Sequence, residues 1–346
     1  MKRLYCLLYS FLLFCATGFS QSSPAKSSVA DCKTFFLSDA PLEMVMTSDF
    51  KKLRSQQKKD IYQNAFVSIK FNDHDSLSDT VRVCARGEMR RQVCQVPSLM
   101  VDFKNKKGSP LNKLKKLKMV CGCSGSSYDE GLLLSEFLVY KMYNLLTEIS
   151  FRVRLVNITY RDLANKIKPY SQHAFFIEDV DEMAARNHCR EFEKSIQTVY
   201  TNRSQATLMT IFQYMIGNTD WSVPNFHNMK LVQSKQDSLS APFVVPYDFD
   251  FSGIVDASYA FPNQDLFSIE HVTDRYYRGL PSTEEEVELV LNNFRKNKEK
   301  FIKLVKDFEL LKLSERERMV SYIEDFYKTV NNHSRVDYHF VRGMSQ

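Results

Sequence analysis

Asp220, Asn225, His227 and Asn228 crowd together directly after an apolar run, Ile211-Phe-Gln-Tyr-Met-Ile216, and Asp248 and Asp250 follow a second run, Phe243-Val-Val245. Buried apolar segments that deliver carboxylates and amides from their ends can assemble a Mg²⁺–triphosphate site. Mg²⁺ takes hard oxygen ligands, one or two from protein and the rest from phosphate and water. A further carboxylate is then needed to orient an attacking hydroxyl. An Asx-rich loop that merely caps its own turns would explain each residue singly. It does not explain why two apolar segments in succession end this way.

The elements that must hold these groups are legible from periodicity. Ala65-Phe-Val-Ser-Ile-Lys-Phe71 alternates as a strand does, and stretches 80–85, 98–103 and 114–121 follow with short, mostly antiparallel connections. A helix is expected over 131–147, apolar around nearly its whole circumference and therefore buried. Glu136 is the lone carboxylate on that helix, and a buried carboxylate needs a cation. Lys116 and Lys118 on the preceding strand are the candidates. Alternation with Leu117 and Met119 favours Lys118, on the opposite face of that strand. Strands over 150–160 and 173–178 come next, then a short helix at 182–187 and a buried helix at 208–216. Helices over 284–304 and 314–331 close the chain, the first started by Ser282 or Thr283 as cap.

In this order the motifs resemble the spore-coat CotH family of atypical kinases. Gly217-Asn-Thr-Asp220 followed by an Asn, and then Pro246-Tyr-Asp248-Phe-Asp250, carry the likeness in the helical half. Arg86-Gly87, the strand ending at Phe103 and Lys116-Leu-Lys118 before the long helix carry it in the strand-rich half. The resemblance implies an α+β, two-lobed protein-kinase-like fold, with an antiparallel β N-lobe and a mainly helical C-lobe. It implies ATP with Mg²⁺ or Mn²⁺, Asp220 as the catalytic carboxylate, and Asn228, Asp248 and Asp250 at the metal. Lys118, held by Glu136, would grip phosphate, and Glu178 would lie at the hinge against the nucleotide. Asn225 stands five residues after Asp220, the interval of the typical kinase catalytic loop, and competes with Asn228. Asn228 is preferred because Met229-Lys-Leu-Val232 reads as a strand beginning directly after it. Tyr247 replaces the family's usual Trp. No glycine-rich loop covers the first strands, an absence the CotH family shares.

Composition sets the remaining bounds. The chain has 346 residues, 44% hydrophobic and 25% charged, which suits a globular fold with a sizeable core. Residues 1–20 read as a secretory signal, 21–64 as leader and extension, 65–180 as the β-rich N-lobe with its long helix, and 181–346 as the helical C-lobe. Secretion or a periplasmic location is therefore expected, with no integral membrane span once the signal is removed. Losing Lys2 and Arg3 lowers the net charge from +6 to +4, too mild to argue for nucleic acid. The cysteines left after that cut, Cys32, Cys84, Cys94, Cys121, Cys123 and Cys189, are even in number, and Cys84–Cys94 is the first expected bridge. Arg275 and Arg278 are candidates for phosphate or an acidic substrate, or plain surface arginines. Asn157, Asn202 and Asn332 open glycosylation sequons. The expected partners are a nucleotide and a protein substrate bearing a hydroxyl. The rivals are a non-catalytic pseudokinase-like binding or envelope-assembly protein, and an adenylyl transferase on the same fold. A hydrolase built on Asp220 and His227 is disfavoured, because no nucleophile elbow is present.

Overall fold

The computed structural model describes residues 32–55, 61–87, 94, 96–104, 108–166, 168–263, 265–266 and 268–343. The expected signal and leader, residues 1–30, lie outside these, as does the turn expected around Arg90 and Arg91.

The chain is α+β. Its first half forms a closed seven-stranded barrel from β1 (Leu42–Ser48), β2 (Gln63–Lys70), β3 (Ser76–Ala85), β4 (Leu99–Asp102), β5 (Lys116–Cys121), β6 (Val153–Asp162) and β7 (Tyr170–Ile177), in the order β1-β2-β3-β4-β5-β7-β6. Every pairing is antiparallel except the one that closes the barrel, where β1 runs parallel to β6 with Leu42 opposite Val156. The mostly antiparallel expectation holds for the other pairings, and β1, the strand that makes the parallel one, comes from the stretch assigned to the extension. Its alternation explains its place, since Leu42, Met44 and Met46 point inward and are buried. They meet Val67, Ile69, Val83, Val101, Leu117 and Phe176 in one apolar interior.

Helix α3 (Ser127–Leu146) follows β5; α1 (Cys32–Phe35) and α2 (Phe50–Ser55) are short elements before it. The Ser126 hydroxyl caps α3 by accepting from the Asp129 N–H. Leu133, Leu134, Phe137, Leu138, Tyr140 and Tyr143 are buried against the outward faces of β6 and β7 and against the helical half. The helix is therefore wrapped on nearly all sides, as its composition demands.

The second half holds α4 (Val180–Arg186), α5 (Arg203–Ile216), α6 (Glu284–Lys306), α7 (Leu313–Val330) and α8 (His333–Val336), with a small sheet ordered β10 (Phe243–Pro246), β9 (Met229–Ser234), β8 (Cys189–Glu191). Asn202 caps α5, and Thr283 with Glu286 makes a reciprocal capping box on α6. From Gln205 onward α5 is buried along its whole length. It ends at Gly217, whose φ of 66° is left-handed and suits glycine. Among the described residues no helix is long and apolar enough to cross a membrane.

Among the described residues a disulfide joins Cys94 to Cys123. The Cys84–Cys94 expectation is corrected: Cys84 is a buried thiol in the barrel wall, opposite Met100, and Cys121 and Cys189 are also buried thiols.

Candidate functional site

A cleft of 320 Å³ is lined by residues from both halves of the chain. The barrel side supplies Arg86, Gly87, Ser98, Lys118, Val120 and Ile177; the helical side supplies Asp220, His227, Asn228, Tyr247, Asp248, Asp250 and Phe251. Of the residues expected from sequence, Lys118, Asp220, Asn228, Asp248 and Asp250 meet here. Asn225 is solvent-exposed and does not line the cleft, whereas Asn228 does.

The turn after α5 holds Asp220 by its backbone and by both carboxylate oxygens. Its N–H donates to the Asn218 side chain at 2.9 Å. Arg278 donates to the flanking carbonyls of Thr219 and Trp221, at 2.6 and 2.7 Å, with its guanidinium 4.8 Å from the Trp221 ring centre. Of the carboxylate oxygens, Oδ1 accepts from His227 Nε2 at 2.7 Å and Oδ2 from Asn228 Nδ2 at 2.9 Å. Asn228 Nδ2 also donates to the Asp220 carbonyl at 2.8 Å. Both Asp220 partners are acceptors, so the end of Asn228 facing them is the NH₂. Its Oδ1 is the end left to offer a cation.

Asp248 follows β10 at a φ of 62°, and its N–H donates to the Tyr140 hydroxyl at 2.8 Å. Asn228 and Phe226 are also left-handed, at 53° and 51°. Asp and Asn tolerate that region, whereas Phe226 held there costs on the order of 1–3 kcal/mol and persists because its surroundings impose it. Tyr247 N–H donates to the Asn228 carbonyl at 3.0 Å, which ties the Asp248 turn to the Asp220 turn. Asp250 accepts from the Tyr259 hydroxyl at 3.0 Å.

Lys118 projects from the outer face of β5, its ammonium 4.6 Å from the Tyr247 ring centre. Burial first, then Arg86 and Lys230, pull its pKa down to about 8; Asp248 and Asp179 push it back up. Lys118 and Arg86 thus line the cleft beside the carboxylates, an arrangement suited to a polyanion, while Lys230 is taken by Glu191 at 2.6 Å. Arg86 is the cleft residue that the sequence does not single out as a site group: only the strand order shows that the Arg86-Gly87 pair ends beside Lys118, two strands away.

Glu136 and Glu178 do not line the cleft. Glu136 is buried along a neighbouring apolar cavity, walled by Leu132, Leu133, Phe251 and the Cys94–Cys123 bridge. Among the described residues no ion pair joins it to Lys118. Glu178 is buried, and its carboxylate is taken by Arg186 at 2.9 Å and the Arg152 N–H at 3.0 Å. Arg275 and Arg278 are clamps inside the fold rather than surface or phosphate groups. Arg275 binds Asp325 and stacks 3.9 Å from the Tyr322 ring centre.

No family model matches the chain, and no curated protein matches it. The likeness to CotH-type kinases therefore stands on the sequence motifs alone. Among solved structures, the crystal structure of a Helicobacter pylori proinflammatory kinase, CtkA, aligns over 68% of this chain and 88% of its own, at 10% identity and a TM-score of 0.41. At that distance it says nothing of activity.

The donor set suits one divalent ion that is completed by phosphate and water. It offers an exposed carboxylate on Asp248, the amide oxygen of Asn228 and the nearby Asp250. Among the described residues no cluster of three or more His, Cys, Asp or Glu forms a metal cage of its own.

Proposed function

We propose that the chain is an atypical kinase of two lobes, which holds Mg²⁺- or Mn²⁺-ATP between the barrel and the helical half and passes a phosphoryl group to a hydroxyl on a partner, a protein being the expected acceptor. The observation that carries this reading is the convergence of Asp220, Asn228, Asp248 and Lys118, each at the end or on the face of a different element, on one open cleft.

In this reading Lys118 and Arg86 hold the phosphates, and Asn228 and Asp248, with Asp250 beside them, hold the metal. The ion would neutralise charge on the phosphate oxygens. Asp220 orients the acceptor hydroxyl. The hydroxyl oxygen bonds to the γ-phosphorus as the bond from phosphorus to the β,γ-bridging oxygen breaks. The electron pair leaves with ADP, and the hydroxyl proton passes to Asp220. The disulfide fits the exported location expected from residues 1–20, since such bonds persist in oxidising compartments.

The test is incubation with Mn²⁺ and ATP labelled on the γ- or the α-phosphate. The expected result is γ-label on protein with release of ADP, lowered about 10²–10⁴-fold in Asp220→Ala. Retention of α-label with release of pyrophosphate would mean adenylyl transfer. Nucleotide binding without turnover would mean a binding scaffold. Equal turnover by Asp220→Ala and the wild type would remove Asp220 from the reaction.

A further inference from the structure

We infer that His227 is a positioning residue for the transfer step: it holds the Asp220 carboxylate in the orientation in which that group meets an acceptor hydroxyl. This rests on the phosphoryl-transfer reading and adds to it a residue outside the metal and phosphate ligands proposed above.

The chain reaches this contact by a tight route. Ser222 N–H donates to the His227 carbonyl at 2.9 Å, and His227 N–H returns the bond to Ser222 at 3.0 Å. The turn between them closes on itself and carries the imidazole back over Asp220, seven residues earlier in the chain. Pro224 within the turn is pinned by the Ser195 hydroxyl, which donates to its carbonyl at 2.7 Å. The residues on either side of His227, Phe226 and Asn228, are both left-handed. Asn takes that conformation readily, but for Phe226 it is unfavourable and persists because the surroundings impose it.

Packing of the imidazole does not explain the expense. The His227 side chain is 55% exposed and that of Asp220 is 38% exposed, and a solvent-exposed pair adds little to stability. What the contact does achieve is geometric. His227 grips Oδ1 while Asn228 grips Oδ2, so the carboxylate plane is fixed from both edges. Each carboxylate oxygen has room for two hydrogen bonds and receives one here, which keeps one site for an incoming hydroxyl. A carboxylate held at one edge only would rotate, and a small misplacement of a reacting group costs about 10²-fold in rate.

Asp220 as a carboxylate only accepts, so His227 Nε2 must carry the hydrogen. That gives a test independent of turnover. In the full chain, long-range ¹H–¹⁵N spectra should show His227 protonated on Nε2, and Asp220→Ala should shift that signal towards a free imidazole. In the kinetic arm, His227→Ala should lower kcat about 10²-fold, with the KM for ATP unchanged within about twofold and the melting temperature unaltered. His227→Gln, whose amide nitrogen can replace Nε2, should restore most of the loss. A His227 signal indifferent to Asp220→Ala overturns the proposal whatever the activity, and so does full kcat in His227→Ala. Absence of turnover in the wild type, with the spectroscopic contact intact, fails the transfer reading instead.

Discussion

The Gly253 N–H donates to the Gly217 carbonyl at 3.0 Å, and beside it Ile254 N–H donates to Ile216, also at 3.0 Å. These bonds sew the segment leaving Asp250 to the end of the helix that delivers Asp220. The two turns of the cleft therefore share one backbone junction. A Cβ on Gly217 would stand 2.1 Å from the Tyr322 hydroxyl and 3.4 Å from the Gly253 Cα, at a φ of +66°. Gly217→Ala is expected to lose about 2–4 kcal/mol, from the left-handed backbone and from overpacking together. Urea unfolding measures this. Adding Tyr322→Phe to remove the hydroxyl should return part of the loss, leaving the backbone share.

Lys118 sets a pH dependence with a definite sign. Its pKa falls from 10.5 to about 8, with burial the leading cause. Between those values the folded chain binds fewer protons than the unfolded one, so stability rises with pH through the window, and the cost of the buried cation is fully present below it. A bound triphosphate acts the other way, because it favours the ammonium form and raises the pKa. Nucleotide binding near about pH 8.5 should therefore take up a proton. Calorimetry in buffers of different ionisation heat should show that uptake in the wild type and not in Lys118→Met.

Cys94 and Cys123 are 29 residues apart in sequence, and closing a loop of that length is worth about 3–4 kcal/mol in the chain-entropy account. The bridge ties the β3–β4 connection to the turn between β5 and α3. A reductant, or Cys94→Ser with Cys123→Ser, should lower the midpoint of thermal unfolding by several degrees. No change on reduction would mean that the bond does not form in solution.

The sequence carried much of the site because its signals are local. Asp220, Asn228 and Asp248 each stand at the end of an apolar run, and the burial of α3 follows from a circumference of Leu, Phe and Tyr. What it concealed was long-range pairing. Leu42, Met44 and Met46 lie in the stretch assigned to the extension, and nothing in them names Val156, Ile158 and Tyr160 as parallel partners. The cysteine pairing failed for the same reason. The ends of β3 and β5 and the start of β4 lie at one end of the barrel, which puts Cys94 beside Cys123 while Cys84 stays within the wall. Glu178 read as an available carboxylate because Arg186, eight residues on, returns to it only once α4 has formed. Arg278 reads from sequence as a phosphate or acidic-substrate candidate or a surface arginine, because its partners, the Thr219 and Trp221 carbonyls, are more than fifty residues away in the chain.

The account depends most on a metal nucleotide entering the cleft between Lys118 and Asp248, and thermal unfolding of the wild type and Asp248→Ala with and without Mn²⁺-ATP measures that directly. At ligand about a hundredfold above its dissociation constant, the wild type should gain about 2.7 kcal/mol, and Asp248→Ala should gain little or nothing. A wild-type melt unmoved by Mn²⁺-ATP or Mg²⁺-ATP, or an Asp248→Ala protein stabilised as fully as the wild type, would contradict it.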